Sequence, residues 1–521
     1  MRFFITNPIG YYGEKHILSP IGMLSIATVA KQYGAEVKYM DAYLDNPSPE
    51  EFQGMVKDFK PDVIGISFNV EDRIAAFDTA KLAKAARPQS LVVLGGPFPT
   101  MVHRDIIDKL DYVDVAIRGE GEKTIVQLFE VLEGKRSMAE VKGITYRENG
   151  KTIINPAQDA VKDLNDLPMP DFSLANNHKY KSYIPQEEEY DDLDKMSIVR
   201  QNKTEKPMAN LIFSRGCPFN CVFCSAEAMW TRTLRTLKVE NCLKQVKYFL
   251  DQGITDFVFQ DDHLIANKKW FHELADGLKN LDSRIRYACL ARIDSVDDET
   301  AKKLYESGCR MITLGIENLS NNSLKLMKKK IGIDQTFKCL ETLNRNKIIV
   351  RGGILISTPG ETLDDVSENV RLHKKLRKYL IEAGGIGALR IYPGAELEKV
   401  AERRNQMNFS WVEPFEDKRN YLMSTPTHIP LFENIPHETV LPHLIKESLR
   451  YNDHYLSRVL IRQHIFRIGD PEKRSFFNKT NERLLASKGI LVYLFSGSIL
   501  KFAERIKFLF QVLTQKEARV T

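Results

Sequence analysis

Arg215-Gly216-Cys217-Pro218-Phe219-Asn220-Cys221-Val222-Phe223-Cys224 places three cysteines in one short loop with the spacing C-x3-C-x2-C. Three thiols this close cannot form a sensible set of disulfides, but they can wrap one metal cluster. A cubane [4Fe–4S] cluster normally takes four cysteines, so three ligands leave one iron open to a small molecule. The competing readings are a zinc site and chance clustering. Structural zinc usually joins one close pair to a second pair elsewhere. The other four cysteines, Cys242, Cys289, Cys309 and Cys339, stand singly in apolar patterns and read as small buried residues. The metal ligands expected here are Cys217, Cys221 and Cys224.

The chain around this loop has 521 residues, enough for two to four domains. Its 43% hydrophobic and 28% charged content is that of an ordinary soluble protein. A net charge of +6, from 75 basic and 69 acidic residues, gives no sign of nucleic-acid binding. Seven cysteines, three of them in a cluster loop, argue for a reducing compartment, and the expected location is the cytoplasm. The opening apolar run is too short for a signal peptide and reads as a first strand. No apolar stretch is long enough to span a membrane, and the longest, from Gly489 to Leu500, stops at Lys501.

Upstream of the loop, residues 1–135 alternate short apolar runs with amphipathic stretches. Strands are expected at Phe3–Thr6, Glu36–Met40, Val63–Ser67, Leu91–Leu94 and Val113–Ile117, with helices between them. Continuous apolar strands suit a parallel sheet covered on both faces. The fold expected is α/β, doubly wound and Rossmann-like, with ligands held beyond the carboxyl ends of the strands. The loops there carry Ser67 and Asn69, then Gly95-Gly96, then Gly119-Glu120-Gly121-Glu122. Glycine lets backbone approach a large flat ligand, and the absence of G-x-G-x-x-G argues against a dinucleotide. Residues 136–207 read as an extension and linker: a hairpin turned at Glu148-Asn149-Gly150, an extended strap at Leu167-Pro168-Met169-Pro170, and a solvated acidic run from Glu187 to Asp194.

Downstream, residues 208–409 resume strand–helix alternation with six strands, the cluster loop following the first. Strand-end residues are where barrel chemistry collects. They are Asp261-Asp262 after the second strand, Arg292 after the third, Glu317 after the fourth, Ser357-Thr-Pro-Gly-Glu361-Thr362 after the fifth and Tyr392-Pro393-Gly394 after the sixth. Either aspartate also reads as the cap of the following helix, and Glu361-Thr362 as a helix opening.

The cysteine spacing, with aromatic Phe223 before the last cysteine, resembles the radical S-adenosylmethionine (SAM) superfamily. The Leu91–Gly96 and Gly119–Glu122 segments ahead of it resemble the cobalamin-binding domain of its cobalamin-dependent members. The resemblance implies a partial (β/α)6 TIM-type barrel, a [4Fe–4S] cluster, SAM and cobalamin. It implies that Phe223 flanks the cluster and that Asp261 and Asp262 face the amino group of SAM. It further implies that Arg292 meets the SAM carboxylate and that Glu317, in Gly-Ile-Glu-Asn, contacts ribose or amino group. Ser67, Asn69, Gly95, Gly96, Gly119 and Glu120 would line the cobalamin site. The Asp-x-His-x-x-Gly loop that ligates cobalt from below is absent, His16 and His103 have the wrong context, and Phe98 stands where relatives often carry histidine. Ser357 and Ala395 depart from the family's glycine and threonine.

The chemistry implied is SAM cleavage to a radical that attacks an unreactive carbon. The product is a C-methylated small or lipid-like molecule, or alternatively a cyclised or rearranged one. An electron donor such as flavodoxin or ferredoxin is implied as partner. No side chain is assigned a catalytic role. Residues 410–521 read as mostly helical. Phe502, Ile506, Leu509 and Leu513 share one helical face, which either caps the barrel or makes a peripheral membrane contact.

Overall fold

The computed structural model describes residues 1–10, 18–185, 204–405, 410–413, 437–451 and 453. His16, the acidic run and the apolar face at 502–513 lie outside them. The chain divides into two compact units. The first comprises Met1–Leu314, Thr342–Ile349 and Arg390–Thr427; the second comprises Gly315–Glu341, Val350–Leu389 and His428–Thr521. Among the described residues no helix is long and apolar enough to cross a membrane.

The first unit opens with seven strands: β1 (Arg2–Thr6), β2 (Glu36–Met40), β3 (Val63–Ser67), β4 (Leu91–Gly95), β5 (Val115–Ile117), β6 (Ile144–Glu148) and β7 (Lys151–Ile154). Their order is β2-β1-β3-β4-β5-β6-β7. The first five are parallel; the hairpin β6–β7 adds antiparallel strands at one edge through Ile117 opposite Ile144. Helices Ile21–Tyr33 and Glu122–Leu132 seal one face over Phe3, Ile5, Val93 and Phe129. Phe3 meets Phe129 edge-on at 5.6 Å, an arrangement the ring quadrupoles favour.

The Pro97–Lys109 helix starts directly after β4, because Pro97 pre-sets the first turn and Gly96 turns the chain into it at φ +98°. Phe98 on that helix is buried against Phe68, Phe77 and Trp411, 5.7 to 6.4 Å between ring centroids. It is a core residue, and its position leaves no ligand role. His103 is half-buried rather than on the surface. It is hydrogen-bonded to Thr145 at 2.9 Å, and burial lowers its pKa to about 4.

The same unit then forms β8 (Met208–Leu211), a two-residue ladder β9 (Ser214–Arg215) with β10 (Arg235–Thr236), and β11 (Asp256–Phe259), β12 (Arg286–Ala291) and β13 (Cys309–Leu314). Strands β8, β11, β12 and β13 are parallel neighbours in that order. The first of them, β8, ends at Leu211. Asn210 is tolerated inside it because its amide bonds Ser19 and Gln260 at 2.8 to 2.9 Å, which removes the cost of burying an unpaired polar group. The core is a run of rings: Phe213–Phe259 at 4.9 Å, Phe259–Tyr287 at 4.6 Å and Phe249–Phe172 at 4.7 Å. Phe172, in the linker just beyond the strap, packs into this core.

The second unit holds two further parallel strands, β14 (Ile349–Ile356, from Val350 onward) and β15 (Leu380–Ala388). Gly384 and Gly385 lie within β15. The Leu363–Leu376 helix opens with a capping box between Thr362 and Asp365, the helix-opening reading of that threonine.

Candidate functional site

The cluster loop is shaped by its neighbours. Gly216 has φ +96°, and a Cβ there would overlap the Thr233 carbonyl oxygen; only glycine allows the β9–β10 ladder to close just ahead of Cys217. Beyond it, Cys224 N–H donates to the Cys221 carbonyl at 3.1 Å, making a turn. Leu397 N–H donates to the Val222 carbonyl at 3.0 Å and Ser225 Oγ to the Pro393 carbonyl at 2.8 Å. Thus Pro393, whose motif looked weakened by Ala395, buttresses the loop. Phe223 is half-buried beside these contacts.

Cys217 and Cys221 are partly exposed and Cys224 is exposed. Although Cys224 as a residue is exposed, crowding desolvates its thiol and pushes it up to about 11, with Asp262, Cys221 and Cys217 adding to the rise, so the three sulfurs and this carboxylate share one local field. Among the described residues no three His, Cys, Asp or Glu converge on a single metal ion. Three thiols in one loop suit a cubane, whose cysteine ligands each bind a different iron, and cluster binding would deprotonate them.

Three strand-end residues reach this loop. Asp261 is fully buried. Its Oδ1 accepts from Phe213 N–H at 3.0 Å and Ser214 Oγ at 2.5 Å, while Oδ2 has no hydrogen-bond partner among the described residues. Burial raises its pKa to about 6. Its hydrogen bonds serve the start of the loop, a correction to the expectation that it faces SAM. Asp262 is exposed on its open side yet crowded enough that desolvation raises its pKa. It alone of the pair is free to address a ligand at the cysteines.

Arg292 is buried and bidentate to Asp294 at 3.0 Å, with its guanidinium carbon 3.6 Å from the Phe219 ring centroid and Nη1 3.6 Å from Cys221 Sγ. The expected SAM carboxylate partner is thus replaced by Asp294. Arginine suits such a site because its planar fork binds a carboxylate and stacks at once.

A cavity of about 630 Å³ lies in the first unit beyond the carboxyl ends of β1, β3 and β4. Asn7, Ser67, Asn69 and Gly96 line it on that side. Ser214, Arg215 and Trp230, flanking the cluster loop, line it on the other. The Leu164–Pro170 strap forms part of the wall. A slot of about 120 Å³ runs from the same residues into the sheet, past Gly65, Gly95, Gly119 and Gly121. A Cβ on Gly95 or Gly119 would project into open space, so these positions keep a cradle clear. A flat, tailed cofactor such as cobalamin fits this pairing of cavity and slot.

Glu120 borders the slot, but its carboxylate is engaged by other residues of the chain. Its carboxylate is held by Arg235 at 2.8 Å, Arg215 at 3.3 Å and Val161 N–H at 2.6 Å. Glu122 receives Arg215 at 2.5 Å and Ser25 Oγ at 2.8 Å. Burial alone would raise the Glu122 pKa, but Arg215 overcomes it and holds the carboxyl below its usual value. Sequence reasoning missed these partners; the only signal was an arginine next to the cluster glycine and a paired acid in the glycine loop.

In the second unit Glu317 adopts φ +62° and pairs with buried Lys329 at 3.2 Å. A Cβ at Gly315 would lie 2.5 Å from Glu317 Oε1, so a side chain there would displace the end of this ion pair. Buried Glu361 accepts from Asn318 and Ser323 on one oxygen, at 2.9 and 2.7 Å, and from Ser357 and Thr358 N–H on the other, at 2.5 and 3.1 Å. Ser357 is held by it at φ +80°, where the family pattern has glycine.

The model for the radical SAM superfamily matches residues 211–373, and that for the B12 binding domain matches residues 15–129. An uncharacterised methyltransferase of Pyrococcus horikoshii is 27% identical over 387 residues, covering 74% of this chain and 79% of that one. The anaerobic magnesium-protoporphyrin IX monomethyl ester cyclase of Rubrivivax gelatinosus is 25% identical over 383 residues, 71% of this chain and 65% of its own length. The structure of TsrM, a radical SAM methyltransferase from Kitasatospora setae with cobalamin and a [4Fe–4S] cluster bound, superposes with a TM-score of 0.65 at 14% identity, covering 94% of this chain and 99% of that one.

Proposed function

The chain belongs to the cobalamin-dependent radical SAM family, and on that premise we propose that it is a C-methyltransferase acting on an unactivated carbon of a small molecule. The observation that carries the reading is that Arg215 and Trp230, which flank the three-cysteine loop, border both a cavity and a glycine-lined slot within one compact unit. When bound, the cluster and SAM supply a 5′-deoxyadenosyl radical and cobalamin supplies a methyl group; such hard chemistry is the cofactors' own.

The residues have narrower tasks. Cys217, Cys221 and Cys224 hold the cluster, with Phe223 packed beside them. Arg292 fixes Cys221 through Asp294 and Phe219. Asp262 offers a carboxylate to the ammonium of SAM. Ser67, Asn69, Gly95, Gly96 and Gly119 form the cobalamin cradle, and the strap at Leu164–Pro170 helps close the cavity to water. Residues 1–135 are the cobalamin-binding part and residues 208–409 the barrel. A flavodoxin or ferredoxin supplies electrons.

A cyclase is the second reading, favoured by the Rubrivivax gelatinosus relative. The two differ in how SAM is consumed. The cobalamin-loaded, reconstituted enzyme is incubated with SAM and reductant, and nucleoside products are quantified. Methyl transfer predicts S-adenosylhomocysteine together with 5′-deoxyadenosine. Formation of 5′-deoxyadenosine alone would favour the cyclase.

A further inference from the structure

We propose that Arg215 is a positioning residue that couples occupancy of the glycine-lined slot to the geometry of the cluster loop. The inference rests on the cobalamin reading above. Arg215 lies two residues before Cys217, on the strand whose end the Gly216 turn fixes. Its guanidinium spans Glu120 and Glu122, the two acids of the loop that forms the slot's wall, and lies 5.4 Å from the Trp230 ring on the helix following the cysteines. Arg215 and Trp230 border both the cavity and the slot.

The charges are well shielded: the side chains of Glu120 and Glu122 are 5% exposed, Arg235 is 7% and Arg215 is 14%. Two acids against two guanidiniums make a neutral node. A buried ion pair of this kind adds little net stability, because desolvation offsets the Coulomb attraction. It does fix relative position strongly, since separating the partners would strand a charge in a low-dielectric site. The glycine loop and the cluster loop therefore move together or not at all. A ligand that orders one orders the other, and linkage makes the effect reciprocal.

The experiment is an anaerobic spectroscopic titration of the full chain with hydroxocobalamin, with and without prior reconstitution of iron and sulfide. Wild type is compared with Arg215→Gln, Arg215→Lys and Glu122→Gln. The expected result is cobalamin binding at least about fivefold tighter with the cluster in place, the lower end of ordinary coupling. In Arg215→Gln both cofactors still bind but the ratio falls toward one, and Arg215→Lys keeps part of it. Glu122→Gln, which preserves shape, lowers the ratio without changing the fold and decides the matter where Arg215→Gln is poorly folded.

A wild-type ratio near one overturns the proposal, as does an unchanged ratio in Glu122→Gln and Arg215→Gln. Neither touches the functional reading, which requires only that both cofactors bind. Wild type that takes up no cobalamin at all sinks both.

Discussion

Replacing Asp261 by asparagine should make the first unit more stable as pH rises. The carboxyl is fully buried, Oδ1 is engaged with Phe213 and Ser214, and Oδ2 has no hydrogen-bond partner among the described residues. Its pKa moves from 3.8 unfolded to about 6 folded. A gap of that size corresponds to about 3 kcal/mol between the protonation states. The sign follows from linkage. Below 3.8 both states are protonated and nothing is lost. Between 3.8 and about 6 the unfolded state releases the proton while the buried carboxyl keeps it, so stability falls; above about 6 both states are ionised and the loss levels off. Asparagine keeps the accepting oxygen and cannot ionise, so its own cost is constant with pH.

Relative to wild type, Asp261→Asn should therefore gain about 2 kcal/mol between roughly pH 4.5 and pH 7.5. All 3 tryptophans, Trp230, Trp270 and Trp411, fall in the first unit, so tryptophan fluorescence in a urea titration of the apo chain follows that unit. A stability difference that stays flat across this range would refute the buried-carboxyl reasoning. A large loss of SAM affinity in the variant would return Asp261 to the role read from sequence.

Alanine in place of any one of Cys217, Cys221 or Cys224 should abolish most iron uptake after reconstitution, with little change in the thermal midpoint of the apo chain. Gly216→Ala forces a side chain onto the Thr233 carbonyl at φ +96°; it should lower apo stability by about 1–3 kcal/mol and reduce iron content, read by calorimetry and iron assay. Glu361→Gln replaces an acceptor of two backbone N–H groups by an amide that can satisfy only part of the network. About 1–3 kcal/mol should be lost, seen as faster proteolysis within residues 315–389. Arg292→Gln should leave SAM affinity within about twofold while loosening Cys221, read as a changed electron paramagnetic resonance signal of the reduced cluster; a tenfold loss of SAM affinity, about 1.4 kcal/mol, would restore the carboxylate role.

Local chemistry was legible and tertiary partnership was not. Parallel strands such as Val63–Ser67 and Leu91–Gly95 announce themselves because both faces are buried and the apolar run is continuous. The cysteine loop is legible because three ligands for one cluster must be close in the chain. The buried character of Cys242, Cys289, Cys309 and Cys339 followed from their apolar settings. Partners far apart in sequence left no local trace. Arg215 meets Glu120 and Glu122 across more than ninety residues, and Asp294 takes Arg292 away from the ligand that its position suggested. Asp261 and Asp262 are adjacent and alike in sequence, yet opposite in environment. Only the fold shows which one points inward to brace Phe213 and Ser214.

The most direct test is metal content. The full chain is reconstituted anaerobically with iron and sulfide, given hydroxocobalamin, desalted and analysed for iron and cobalt. About four irons and one cobalt per chain is the result expected of a three-cysteine cluster beside a cobalamin cradle. Four irons without cobalt would contradict the methyl-transfer mechanism and leave the glycine-lined slot without its cofactor.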